Sequence, residues 1–273
     1  MTIVSADTPA TPPIERRRSG ATTARLRTAG LFAISIIAGI GIWQVLSMRY
    51  GPALVASPSQ TLSSARELAA DGTLTNAVIA SSRRILIGWG LGLVVGVPVG
   101  LLMGQVPFIR RLLDPYIEFF RFIPPVAFVT LAVVWLGIGE SSKVVLIFYT
   151  SVFIVTLNTI AGVLSVNETK LRAAAALGAG RWQVMRSVVL PSTVPHIVTG
   201  ARLAMGNSFL TIVSAEIVAA QVGLGALIWT SRNYGRIDWV FVGIIVLGIL
   251  GFVFDRVLRI VAARLLHRYG VKL

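Results

Sequence analysis

The chain has 273 residues, 55% of them hydrophobic and 13% charged, with a mean hydropathy of +0.80 and a formal net charge of +14. A soluble domain of this length does not carry so apolar a composition, so the chain is an integral membrane protein. Its basic residues fall between apolar runs instead of forming a patch on a soluble fold, which argues against nucleic acid as a partner, and the absence of cysteine excludes disulfides, thiolate metal sites and a Cys nucleophile.

Residues 1–27 are rich in Thr, Pro, Ala and Arg, with Arg16, Arg17, Arg18, Arg25 and Arg27 ahead of the first apolar run. They are expected to form a disordered, basic, cytoplasmic tail, with one membrane domain over residues 28–273. Residues 29–48 are long enough to span a bilayer and too long for the apolar region of a signal peptide, so they predict an uncleaved first span. A twin-arginine address is also considered, but the apolar consensus that should follow the Arg pair is missing. Gly51-Pro52, Ser57-Pro58 and Asp71-Gly72 mark turns around an amphipathic helix at about 60–70, on the outer surface.

Residues 85–104 form the second predicted span and place Gly88, Gly92, Gly96, Gly100 and Gly104 at every fourth position. Such a stripe allows close approach of another helix, and packing is the favoured role over ligand binding. Residues 106–122 return to the surface, and the chain re-enters through Ile123-Pro124-Pro125. Two prolines are tolerated at a helix start and would break its middle, so a short third span is predicted over 123–136. The sequence GIGESSK at 137–143 reads as a tight turn before a fourth span over 144–164.

The stretch 165–191, SVNETKLRAAAALGAGRWQVMRSVVLP, interrupts two apolar runs with polar residues. Ser165 followed by Glu168 has the form of a capping box, predicting a helix that carries Leu171 and Ala173 to Leu177. Gly178 and Gly180 stop it. A second short helix is predicted over 181–189, with Trp182, Met185 and Val189 on one face and Pro191 and Pro195 closing it. The fifth span then runs from 198 to about 213, Glu216 ends that run, QVGLG follows at 221–225, and the sixth span covers 239–254.

With six spans and the N-terminus inside, eighteen of the 25 Lys and Arg residues fall on the cytoplasmic side and seven on the outer side, which places the 165–191 loop in the cytoplasm. Arg83 and Arg84, at the outer start of the second span, run against this count.

The spacing of Ala173, Ala174, Gly178, Val188, Leu190 and Pro191 resembles the EAA loop of the transmembrane subunits of bacterial ABC importers: Glu-Ala-Ala, three residues, Gly, nine residues, Ile, one residue, Leu-Pro. Arg172 stands where that motif has Glu. From about residue 54 onward, the order of further features resembles the taurine, aliphatic sulfonate, nitrate and bicarbonate branch of these permeases, with the taurine permeases nearest. They include Ser57-Pro58-Ser59, FFRFIPPVAF, GIGESSK, Thr199-Gly200-Ala201-Arg202, Ala215-Glu216 and Gly223-Leu224-Gly225.

The resemblance implies an all-α integral membrane protein of about six transmembrane helices, with type I ABC importer permease architecture, in the bacterial inner membrane, both termini cytoplasmic. It also implies a cytoplasmic coupling-helix loop, in which Arg172, Ala173, Ala174, Ala175, Ala176, Leu177, Gly178, Ala179 and Gly180 meet an ATPase. The implied partners are a second copy of the chain, a cytoplasmic ABC ATPase dimer, an extracytoplasmic substrate-binding protein and membrane lipid. ATP belongs to the partner, and no cofactor is expected on this chain, which has no G-x-x-x-x-G-K-[ST] stretch. Nor is it expected to be an enzyme: its histidines are His196 and His267, with neither H-E-x-x-H nor a G-x-S-x-G nearby. Asn158, Arg202, Ser208 and Glu216 are candidate residues of the translocation path, Arg202 as an anion attractor and Glu216 as either a gate or a solvated helix end. Taurine or another sulfonate is the expected cargo. The alternatives are nitrate or bicarbonate, a secondary transporter, for which an inverted repeat between the halves is lacking, and an inert membrane scaffold.

Overall fold

A computed structural model describes residues 20–266, with side chains from residue 30 onward. Within that range every regular element is helical, as expected where lipid offers backbone amides no hydrogen-bond partner. The elements are α1 (Gly20–Tyr50), α2 (Pro58–Ala70), α3 (Thr73–Gln105), α4 (Pro107–Phe120), α5 (Pro125–Leu136), α6 (Glu140–Leu164), α7 (Glu168–Ala176), α8 (Arg181–Val184), a π-helical turn (Met185–Val189), α9 (Leu190–Ala219), α10 (Leu224–Asn233) and α11 (Ile237–Leu266). Helices α1, α3, α6 and α11 are each long and apolar enough to cross a bilayer. Two bent pairs bring the number to six if each is one span: α4 with α5, bent by 96°, and residues 181–219 with α10, bent by 52°.

The core is a three-helix contact between α3, α6 and α9. All five glycines of the α3 stripe lie against α6: a Cβ on Gly88 would meet Ile147, on Gly92 Ser151, on Gly96 Val155, on Gly100 Thr159 and on Gly104 Val163, each at 3.0 Å or less. Rising numbers on α3 meet rising numbers on α6, so the two helices run parallel, and the α4–α5 pair must return the chain between them. Helix α9 runs the other way, with Gly200 on Asn158 and Gly162 on His196. Ile85, Ile147, Met205, Phe209 and Ile212 fill the space between the three.

Other contacts fix the two ends. Trp43 Nε1 donates to Ala56 O, Trp43 stacks on Phe241, and Ser64 donates to Asp238, which gathers the end of α1, α2 and the start of α11 at the end where α3 begins. The described starts and ends of the chain, at residues 20 and 266, therefore lie at the same end as α7 and α8.

Several boundaries differ from those read in the sequence. Residues 20–27, expected in the disordered tail, are the first turns of α1, and their Ala and Leu content favours that; residues 1–19 lie outside the described residues. Helix α3 starts twelve residues before the apolar run at 85, and residues 107–120 are helical. Ser165 is the C-cap of α6, so the capping box does not form: Asn167 caps α7 by accepting from Thr169 N. Pro191 and Pro195 close nothing, since α8, the π turn and α9 run on as one helix. The π turn absorbs the missing Pro191 amide, with Leu190 N donating five residues back to Met185 O.

Candidate functional site

The loop between α6 and α9 hangs from the end of the bundle. None of α7 is buried, and its last turn ends in a Schellman motif: Gly178 N donates to Ala175 O and Ala179 N to Ala174 O, with Gly178 at φ +76°. A side chain at Gly178 would meet nothing within 4 Å, so backbone conformation alone selects glycine. Ala173, Ala175, Ala176 and Gly180 are exposed, while Ala174 and Ala179 are half-buried. Arg172 reaches back one turn to Glu168 at 2.6 Å, both side chains open to solvent.

Beyond the turn, Val184, Met185, Val188 and Val189 pack inward near Val163 and Val166, whereas Trp182 is left outside. Leu177 and Trp182, 87% and 76% exposed, thus project on either side of the Gly178 turn. Two large apolar side chains displayed on a loop whose other exposed residues are small or polar form the kind of anchor that inserts into a pocket of a partner protein.

At the opposite end of the bundle the sequence placed Glu216 at a solvated helix end or a gate. It is 0% exposed. Its carboxylate accepts from Arg84 Nη1 at 2.6 Å, from Ser81 Oγ at 2.7 and 2.9 Å, and from Gly225 N at 2.8 Å. Arg84, itself buried, also donates to Val222 O and in bidentate fashion to Glu140 at 2.6 and 2.8 Å. Ser81 accepts from Leu224 N at 2.9 Å. The network ties α3, the start of α6, the end of α9 and the 220–223 bend together, and it explains why Arg84 runs against the basic-residue count: its charge is neutralised inside the protein. Glu216 is therefore not at a solvated helix end: it is buried and held by four hydrogen bonds. A buried Arg in an apolar span demands an acid, and Glu216 supplies it.

The other path candidates also find protein partners. Arg202 pairs with Asp255 on α11 at 2.9 Å, so its charge is spent between two helices. Ser208 is fully buried, bonded to Ser151 and Ala204 O at the α6–α9 contact. Asn158 donates to Ile154 O on its own helix and packs beneath Gly200. An open concavity lies elsewhere, on the face where α6 and α9 meet the α4–α5 break. It has a volume of about 520 Å³ and is lined by residues 121–126 and by Tyr149, Thr150, Phe153, Asn207, Thr211 and Ser214 among others.

Comparison with known proteins agrees with this geometry. Residues 96–267 match the family described as binding-protein-dependent transport system inner membrane component. Over 242 residues the chain is 39% identical to a probable ABC transporter permease protein of Brucella melitensis, covering 89% of this chain and 98% of that one. It is 37% identical to the taurine transport system permease protein TauC of Escherichia coli (84% and 85% of the two chains) and 31% identical to the nitrate import permease protein NrtB of Synechocystis (82% and 84%). Among solved structures, an inward-facing form of the MetNI methionine ABC transporter superposes with a TM-score of 0.58 at 22% identity, covering 69% of this chain and 96% of that chain.

Proposed function

The chain belongs to the inner membrane components of binding-protein-dependent transport systems and is the permease of an ABC importer, and on that premise we propose that it carries taurine or another small sulfonate inward. As a transport subunit of this family it works with an ATPase and a binding protein and sits in the inner membrane as a multi-pass protein. In this reading two copies of the chain face each other across the path, and the end bearing α7 and α8 lies in the cytoplasm together with both termini, the orientation favoured by the excess of basic residues there. ATP is bound by the separate ATPase, whose surface receives Leu177 and Trp182.

The observation that carries this mechanism is the exposed pair Leu177 and Trp182 across a glycine turn that only a positive φ can close. Taurine is favoured over nitrate because identity to TauC exceeds identity to NrtB over similar spans. The test is uptake of labelled taurine into proteoliposomes holding the permease, its ATPase and its binding protein. Uptake that requires ATP and is outcompeted by sulfonates better than by nitrate or bicarbonate is expected. Uptake driven by an ion gradient without ATP would overturn the coupling role and restore the secondary transporter.

A further inference from the structure

We propose that the concavity at the α4–α5 break is the selective site for the transported anion, with Arg121 supplying charge and Thr150, Asn207, Thr211 and Ser214 supplying hydrogen bonds. This rests on the reading of the chain as an importer of small anions. The first support is depth. Tyr149 hydroxyl donates to Phe120 O and Ile123 O, pinning the break beside the tenth residue of the 25-residue α6, about 14 Å from that helix's start at 1.5 Å per residue. Backbone that leaves the helix at such depth is tolerated only when buried in protein or lining a watery cavity, and residues 121–124 line this one.

The second support is charge. Among the lining residues Arg121 is the sole charged one, and no carboxylate joins it. Arg84, Arg202 and Arg236 all have carboxylate partners, whereas Arg121 has none among the described residues and instead lies over the Phe122 ring at 4.5 Å. Its guanidinium keeps its donors for an oxyanion, which it can bind bidentately.

The third support is the polar face. Asn207, Thr211 and Ser214 recur at steps of four and three along α9, on one stripe, and Thr150 on α6 meets Thr211 at 3.0 Å; Asn207 Nδ2 donates one hydrogen to Leu203 O, as Asn158 does to Ile154 O, and has a second to give, and Thr150 Oγ1 also reaches Leu146 O. Pointing such a stripe at acyl chains is unfavourable, so it faces water or a second copy of the chain. The arrangement suits a small oxyanion such as a sulfonate.

Because the chain has no cysteine, Ser214→Cys gives each permease copy one reporter, read on the permease band after it is separated from its partner subunits. The purified importer carrying it is treated with the anionic 2-sulfonatoethyl methanethiosulfonate or the cationic 2-(trimethylammonium)ethyl analogue, each rate being divided by that for a free thiol. The anionic reagent should react faster by about fivefold or more, as expected of one nearby cation in a partly screened cavity. Arg121→Gln on the same background should erase the preference, and Arg111→Gln, an equal charge change on α4 away from the cavity, should keep it. Excess taurine should protect the thiol. Asn207→Cys is the second reporter if the first folds poorly. An unreactive thiol at both positions, equal rates, or a preference indifferent to Arg121 would overturn the site. Uptake by the unaltered chain separates the two readings: taurine transport without the labelling preference sinks the site alone, while the preference together with uptake of nitrate or bicarbonate in place of taurine sinks the cargo assignment alone.

Discussion

Arg84 Nη1 lies 2.6 Å from Glu216 Oε1 with both side chains almost wholly out of solvent, and this pair locks the 220–223 bend. Arg84→Ala leaves the Glu216 carboxylate buried without a counter-charge and should cost about 3–5 kcal/mol, whereas Glu216→Ala leaves Arg84 still paired with Glu140 and should cost less. The double substitution should cost less than the sum of the two. The thermal midpoint of the detergent-solubilised protein checks this; additive losses would mean that the pair is not coupled.

How much of this was legible in the sequence depends on whether the signal was local. The Gly stripe, the amphipathic α2, the Pro124-Pro125 helix start and the glycine turn at 178 are local patterns, and they lie where the residues suggested. Pairings across the fold were not legible: Asp255 is 53 residues from Arg202 and Glu216 is 132 from Arg84, so polar residues that looked free for a path were already engaged. Pro191 misled for a different reason. Proline reads as a terminator, but in a membrane helix a π turn can absorb the missing amide and let the helix continue. Arg121 was passed over because nothing in the sequence says which arginine lines a cavity.

Gly92→Leu should fail to yield folded protein, whereas Gly90→Leu, two residues away, should be tolerated. A Cβ on Gly92 would come within 2.4 Å of Ser151 Cβ and press on the α6 backbone, while Gly90 has nothing within 4 Å. Overpacking of a tight helix contact costs about 1–3 kcal/mol or more, and here the backbone itself must move. Size-exclusion profiles and yields of the two variants decide it; equal behaviour would show that the α3–α6 contact is not tight.

The proposed orientation predicts that Ala179→Cys is shielded from a membrane-impermeant thiol reagent in intact cells and becomes reactive once the cells are opened. The chain has no native cysteine, so label on the purified permease comes from position 179 alone. Position 179 is only half-buried, so reactivity is sterically open. Labelling in intact cells would invert the assigned topology and with it the site of ATPase docking.

The loop should transmit ATP hydrolysis through a turn and two anchors, and these can be separated. Gly178→Val forces a β-branched residue into the left-handed region at a cost of about 1–2 kcal/mol, which α7 can evade by unwinding its last turn and so misplacing Leu177 relative to Trp182. Because a side chain there touches nothing in the bundle, the protein should still insert and fold. Leu177→Ala and Trp182→Ala keep the turn and remove apolar surface that this chain leaves exposed, so they should leave the thermal midpoint of the isolated permease unchanged yet weaken ATPase binding, each by about 1–3 kcal/mol if it is seated in a pocket. Arg172→Ala loses only a solvent-exposed pair with Glu168 and should change little. Co-purification of the ATPase and the rate of ATP-driven uptake read the series. A Gly178→Val or Trp182→Ala permease that retains wild-type ATPase binding and uptake would remove the α7–α8 loop from coupling, whatever the cargo proves to be.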